Sequence, residues 1–126
     1  MNLQTKRKLE KFLSIAGLPF STVTEQMEYF IPTDLRLFVY LSTSKLWLYI
    51  VKPVEEYRQR DIVFFLSQSA PPLSTSTYHF HACAPKNHIM LRVQLSDKQS
   101  PHDWHHIFVA MNQALQEAVE HTLCNG

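Results

Sequence analysis

Residues 35 to 51 alternate with period two on both sides of a short polar break, and this restricts the fold more than any other feature of the chain. Leu35, Leu37, Val39 and Leu41 alternate with Arg36, Phe38, Tyr40 and Ser42; beyond Thr43-Ser44, Leu46, Leu48 and Ile50 alternate with Trp47, Tyr49 and Val51. A loop centred on Thr43-Ser44 pairs residues whose numbers sum to 87, so that Leu41 faces Leu46, Val39 faces Leu48 and Leu37 faces Ile50. The same register sets Tyr40 against Trp47 and Phe38 against Tyr49 on the other face. A slip of one residue would mix aliphatic and aromatic faces, so the pattern predicts one antiparallel hairpin in one register.

The other elements follow from local signals. Leu9, Phe12, Leu13 and Ala16 form the stripe of a helix over about 3–16, stopped by Gly17 and Pro19. The basic cluster Lys6 to Lys8 on its other side reads as a solvated face. Val23, Met27, Tyr29 and Ile31 share one parity and predict a strand that ends at Pro32. Pro53 suits the first position of a second helix, with Glu55 and Glu56 at its start and a core stripe Tyr57, Asp61, Phe65 broadened by Ile62 and Leu66. Asp61 on that stripe is expected to pair with Arg58, three residues before it, rather than serve as a catalytic base. Ala70-Pro71-Pro72 ends this helix, and Leu73 to Thr77 is a loop.

Tyr78, Phe80 and Ala82 then alternate with His79, His81 and Cys83, and Ile89, Leu91, Val93 and Leu95 alternate with Met90, Arg92 and Gln94. A register summing to 171 sets Phe80 against Leu91 and Tyr78 against Val93. Ser100, Pro101 and Asp103 supply the N-cap, N1 and N3 of a last helix. Its stripe runs through Trp104, Ile107, Phe108, Met111, Leu115, Ala118 and Thr122, with Val119 and Leu123 beside it. The order α-β-β-β-α-β-β-α, with hairpins that must be antiparallel, predicts a two-layer α+β domain over residues 1–126: three helices on a five-stranded, mainly antiparallel sheet.

Composition excludes several classes of function. One hundred and twenty-six residues suffice for one domain with its own core. Twelve basic against eleven acidic side chains give a net charge of +1, which offers no long-range pull toward nucleic acid or an anionic membrane. With Gly17 and Gly126 as its two glycines, the chain has neither a glycine-rich phosphate loop nor a nucleophile elbow. Cys83 and Cys124 lie 41 residues apart without a Cys-x-x-Cys pair, which favours two free thiols over one bridge. The polar, basic start lacks an apolar signal core, and residues 35–51 are broken by Arg36, Lys45 and the Ser42-Thr43-Ser44 run. A cytoplasmic protein without a membrane span is the expectation.

Two constellations stand out. With the helices on the aliphatic side of the sheet, Phe38, Tyr40, Trp47 and Tyr49 lie on the opposite face, where a solvated sheet would be polar. Contiguous aromatic residues there mark a partner or dimer surface, unless another part of the chain covers them. The second constellation is His79, His81, Cys83 and His88, candidate metal ligands that the 171 register would bring to one face, with His102 and His106 at i, i+4 on the last helix. Zinc needs three or four converging ligands, and separated pairs do not show convergence, so a polar outer face is the expected reading, with no metal or other cofactor. Seven histidines also allow a response to pH as it falls through about 6.5. Asp34, Asp97 and Asp103 fall at turns or caps, where carboxylates are ordinary.

The element order and several landmarks are similar to the type III secretion chaperone-like fold, shared by the class I (Tir-type) secretion chaperones and the YbjN family. The landmarks are Gly17-Leu18-Pro19 after the first helix, the strand Leu46-Trp47-Leu48-Tyr49-Ile50 followed by Pro53, and a long amphipathic last helix after a polar linker. The resemblance covers nearly the whole chain and is topological; neither family carries catalytic residues to match. Those secretion chaperones are usually acidic, whereas this chain is nearly neutral. The resemblance implies a non-enzymatic module, dimeric, that holds a partner polypeptide by apolar surface or by strand addition to a sheet edge. A toxin-neutralising immunity protein belongs to the same class. The alternative from another class is a small enzyme or metal- or ligand-binding domain using the His79/His81/Cys83/His88 face.

Overall fold

The computed structural model describes residues 3–18, 23–32, 34–42, 45–69 and 80–125. Helix α1 is Leu3–Ile15, strands β1, β2 and β3 are Gln26–Ile31, Leu35–Ser42 and Lys45–Pro53, and helix α2 is Glu56–Ser69. Strands β4 and β5 are His81–Cys83 and His88–Leu95, and helix α3 is Pro101–Asn125. All pairings are antiparallel, in the order β1-β2-β3-β5-β4. The fold is α+β, as the alternation required. Pro19, Thr43-Ser44, Tyr78, His79 and the Ala70-Pro71-Pro72 stop with its Leu73 to Thr77 loop lie outside the described residues, as do the side chains of Leu123 and Cys124.

The first hairpin adopts the expected register, with Leu37 opposite Ile50, Val39 opposite Leu48, Phe38 opposite Tyr49 and Tyr40 opposite Trp47. Parity then decides which side of the sheet forms the core. Leu37, Val39, Leu46, Leu48, Ile50, Ile89, Leu91, Val93 and Leu95 are buried with the inner stripes of the helices. Helix α3 lies against β3 and β5, α2 against β4, β5 and α3, and α1 against α3. Trp104 is fully buried, and Phe12 of α1 meets both Trp104 and Phe108 edge-on with ring centroids 6.4 Å apart.

Local chemistry ends the helices where the sequence indicates. Leu18 N–H donates to Leu13 O (2.8 Å) and Gly17 N–H to Ser14 O (3.1 Å), the paired bonds of a Schellman motif. They require a left-handed residue at position 17, and glycine holds φ 74° there without a Cβ penalty. At the start of α3, Asp103 N–H donates to Ser100 Oγ and Ser100 N–H to Asp103 Oδ2, a reciprocal capping box. Lys8 of α1 secures the turn before α3 by donating to the carbonyls of Asp97 and Gln99 while its ammonium sits 4.7 Å above the Trp104 ring.

Three expectations are corrected. Pro53 is the last residue of β3, opposite His88, and α2 begins at Glu56; Val54 N–H donates to Asn87 O, which keeps the chain beside β5 for one residue more. The buried face of α2 is Arg58, Gln59, Ile62 and Leu66, whereas Tyr57 is 81 % exposed and Asp61 is exposed. The helix is rotated by one position because Arg58 and Gln59 find acceptors. Arg58 donates to Val119 O (2.7 Å), Thr122 Oγ1 (2.9 Å) and Glu55 Oε2 (3.0 Å), and Gln59 Nε2 donates to the carbonyls of Pro85 and His88. Arg58 therefore pairs with Glu55 and not with Asp61.

The third correction concerns the second hairpin, whose pairs sum to 173: His81 faces Arg92, Ala82 faces Leu91 and Cys83 faces Met90. His88 N–H donates to Pro85 O across Lys86-Asn87, and Asn87 takes φ 61°, so the turn centres one residue later than Ala84-Pro85-Lys86-Asn87 taken as a four-residue loop. A shift of two in the sum preserves parity, so Phe80 still packs against the core side.

Candidate protein-binding face

The side of the sheet away from the helices is built by the other parity of the same strands. Phe38 and Tyr40 from β2 and Trp47, Tyr49 and Val51 from β3 all project there, each half-buried. Strand β5 adds Met90 beside Val51 and Arg92 beside Tyr49; β1 adds Gln26 beside Tyr40 and Glu28 beside Phe38. Trp47 and Tyr49 are ring neighbours at 6.5 Å, tilted by 36°, and the Arg92 guanidinium lies 5.4 Å from the Trp47 ring centre.

A shallow groove of about 600 Å³ runs over this surface, floored by Phe38, Tyr40, Tyr49, Val51 and Met90 and rimmed by Gln26 and Glu28 on β1. Three of the four aromatic residues singled out in the sequence thus line one depression, and Trp47 adjoins it through Tyr49. Val51 continues the Trp47 and Tyr49 face that the alternation gives, and Met90 is the member that hairpin reasoning missed. They meet through the β3–β5 pairing, which joins segments about 40 residues apart, and no local pattern carries that information.

His81, Cys83 and His88 fall on the open face by parity, but without the Cys83–His88 pair that the 171 register would make. His81 faces Arg92, Cys83 faces Met90, and His88 faces Pro53, so Cys83 and His88 are not directly opposite one another. His79 lies outside the described residues. Among the described residues no group of three or more His, Cys, Asp or Glu side chains is placed to hold a metal ion. His88 has a different role in the fold: Nδ1–H donates to Lys86 O at 2.8 Å and Nε2 faces Arg36 Nη2 at 3.4 Å. Also among the described residues, no helix is long and apolar enough to cross a membrane.

Three further described aromatic side chains are open to solvent, among them Phe30 (77 % exposed), opposite Arg36 at the β1 edge of the open face. Tyr57 and Phe64 (66 % exposed) stand two turns apart on the outer side of α2. The i, i+4 spacing puts Tyr57 on the expected core stripe and leaves Phe64 outside it, and the three adjacent apolar residues Val63 to Phe65 do not distinguish the inner face by sequence alone.

A helix-covered antiparallel sheet with this element order is the type III secretion chaperone-like fold. The chain belongs to the SsaM family, whose match spans residues 2–118. Five chains of solved structures are similar to it. One, from the crystal structure of the ExsC-ExsE complex, superposes with a TM-score of 0.55 and 18 % sequence identity, covering 93 % of this chain and 90 % of its own. No curated protein sequence matches the chain.

Proposed function

We propose that this protein is a non-enzymatic, secretion-chaperone-like module, a single domain that binds a partner polypeptide on the open face of its sheet through Phe38, Tyr40, Trp47 and Tyr49. The observation that carries the reading is the half-buried aromatic ladder around a groove of about 600 Å³, on a face that no helix covers among the described residues. Apolar surface of this kind gains most when a second chain excludes water from it, and Trp and Tyr are the residues enriched at such centres. Family membership and the likeness of fold to a chain of the ExsC-ExsE complex support a protein partner. The working form is a homodimer in the cytoplasm, with Tyr57 and Phe64 on α2 as an apolar surface for the second copy that leaves the sheet face to the partner.

The test is the pair Tyr40→Ser and Trp47→Ala in one chain, followed by circular dichroism and light scattering together with partner capture from the native host. The double variant is expected to fold, remain dimeric and lose the captured polypeptide. Unfolding of the double variant would assign those rings to the core, and undiminished capture would place the binding surface elsewhere.

A further inference from the structure

The open face carries charge of mostly one sign. By register, Arg36, Lys45 and Arg92 project from it along with His81 and His88, and Glu28 on the edge strand β1 is the acid among its described strand residues. Three cations against one carboxylate is a local excess in a chain whose net charge is +1. Among the described residues neither arginine meets a carboxylate: Arg92 lies over Trp47, and Arg36 faces the His88 ring. Each guanidinium has five N–H donors in a planar fork suited to a carboxylate, and these contacts occupy few of them.

The two arginines also have a definite spacing. Arg36 is in the row of Val51 and Met90, and Arg92 in the row of Tyr49 and Phe38. They are two strands apart and two residues out of step, which sets their Cα atoms about 12 Å apart by the ordinary spacings of a sheet. Tyr49 and Val51, part of the apolar floor of the groove, lie between them. In an extended peptide, side chains at i and i+4 point the same way about 13 Å apart, with i+2 midway between them.

The geometry points to an acidic, apolar-anchored polypeptide segment as the occupant of this face, with carboxylates near i and i+4 on Arg92 and Arg36 and an apolar side chain at i+2 in the groove. This rests on the protein-binding reading and adds the chemistry of the partner. Nucleic acid fits less well, because phosphate backbones are held by longer basic tracks and Glu28 stands at the rim of the groove. Charge complementarity of this kind selects among partners and speeds encounter, while the apolar anchor supplies most of the affinity.

The experiment is selection of random 12-residue peptides displayed on phage against the full chain, with the selected peptides then titrated by fluorescence anisotropy against variants shown to be folded by circular dichroism. Enrichment of Asp and Glu around Phe, Leu or Trp is expected, with affinity falling about tenfold or more for Arg36→Glu/Arg92→Glu. Arg36→Gln/Arg92→Gln provides the same comparison at lower strain, with a smaller loss expected. Neutral or basic peptides that bind yet are lost with Tyr40→Ser/Trp47→Ala would overturn the acidic partner and leave the protein-binding face standing. Peptides indifferent to both pairs of substitutions, or no selected peptides at all, would overturn both. Displacement of acidic peptides by a fluorescent oligouridylate at equal concentration would overturn a peptide as the preferred occupant.

Discussion

Phe12 is where the packing of this fold can be tested most directly. Its ring is fully buried between Trp104 and Phe108, at 6.4 Å from each and with interplanar angles of 76° and 86°. Phe12→Ala removes about 150 Å² of buried apolar area, worth about 4 kcal/mol at ~25 cal/mol per Å². The two edge-to-face contacts disappear with it, and partial collapse of the void returns some of the loss, so the expected cost is about 3–5 kcal/mol. For a chain of this length that corresponds to a melting temperature lower by about 10–25 °C. Phe12→Leu keeps most of the volume and should cost about 1–1.5 kcal/mol.

The location of the loss matters as much as its size. Helix α1 leans on α3, with Phe12, Leu9 and Leu13 buried there and Lys8 tied to the carbonyls of Asp97 and Gln99. The alanine variant should therefore open locally before it unfolds. Amide exchange should lose protection across α1, Leu3–Ile15, while the β2–β3 hairpin keeps its own. A melting shift below about 3 °C for Phe12→Ala would refute the packing argument, since it would mean the ring contributes less than about 1 kcal/mol. Equal loss of protection in the hairpin would refute the independence of α1.

Gly17→Ala meets no atom within 4 Å, so its cost is purely that of φ 74° and should be about 1 kcal/mol in urea titrations, with Gly17→Asn closer to wild type. Arg58→Ala should cost about 1.5–3 kcal/mol by abandoning Val119 O and Thr122 Oγ1 across the α2–α3 contact. Arg58→Met should recover most of this, because it keeps the aliphatic body and removes the buried Nε that lacks a partner. Acid should weaken the start of α3 in two stages. Burial first, then the neighbouring His106 and His102, hold His105 below its usual 6.5, so the stability it contributes is present above that value and is lost as pH falls through the lower folded pKa. The Ser100 N–H and then its hydroxyl hold Asp103 below its usual 3.8, a contribution lost only at still lower pH. Thermal melts from pH 8 to 3 should show a first decline that His105→Gln removes and a second that Asp103→Asn removes.

The first hairpin was legible because both faces of two strands agree on one register, and β-sheet parity makes every alternative costly. The last helix was legible because its cap, its first-turn proline and its stripe are all local. The face of α2 was not, since two of the residues it buries, Arg58 and Gln59, are polar and become acceptable inside only through carbonyls supplied by α3, Pro85 and His88. The turn between β4 and β5 was misplaced because Pro85-Lys86-Asn87 accommodates more than one centre, and only Asn87 at φ 61° selects it. Of the candidate site, the aromatic ladder could be read from the hairpin alone. Val51 extends that ladder by the same parity, whereas Met90 and Arg92 depend on the pairing of β3 with β5, whose partners are remote in the chain.

That remote pairing also sets the two faces of the sheet in different energetic positions. Strand β3 is central, flanked by β2 and β5, so its inner residues Leu46, Leu48 and Ile50 are covered by helices while its outer residues Trp47, Tyr49 and Val51 occupy the middle of the open face. Truncating a fully buried core ring costs about 3–5 kcal/mol, whereas a cross-strand pair such as Tyr40 with Trp47 contributes about 0.2–1 kcal/mol to the sheet. The outer face can therefore change its side chains at small cost to the fold, provided they remain strand-formers. Trp, Tyr, Phe and Val satisfy that condition, and they are also the residues that release most free energy when a partner excludes water from them. What the ladder stabilises weakly within the chain it can stabilise strongly between chains. For that reason the decisive property of Tyr40→Ser/Trp47→Ala is the separation of its two effects: a small change in melting temperature together with a large change in binding. A proportionate loss of both would assign the rings to the fold instead.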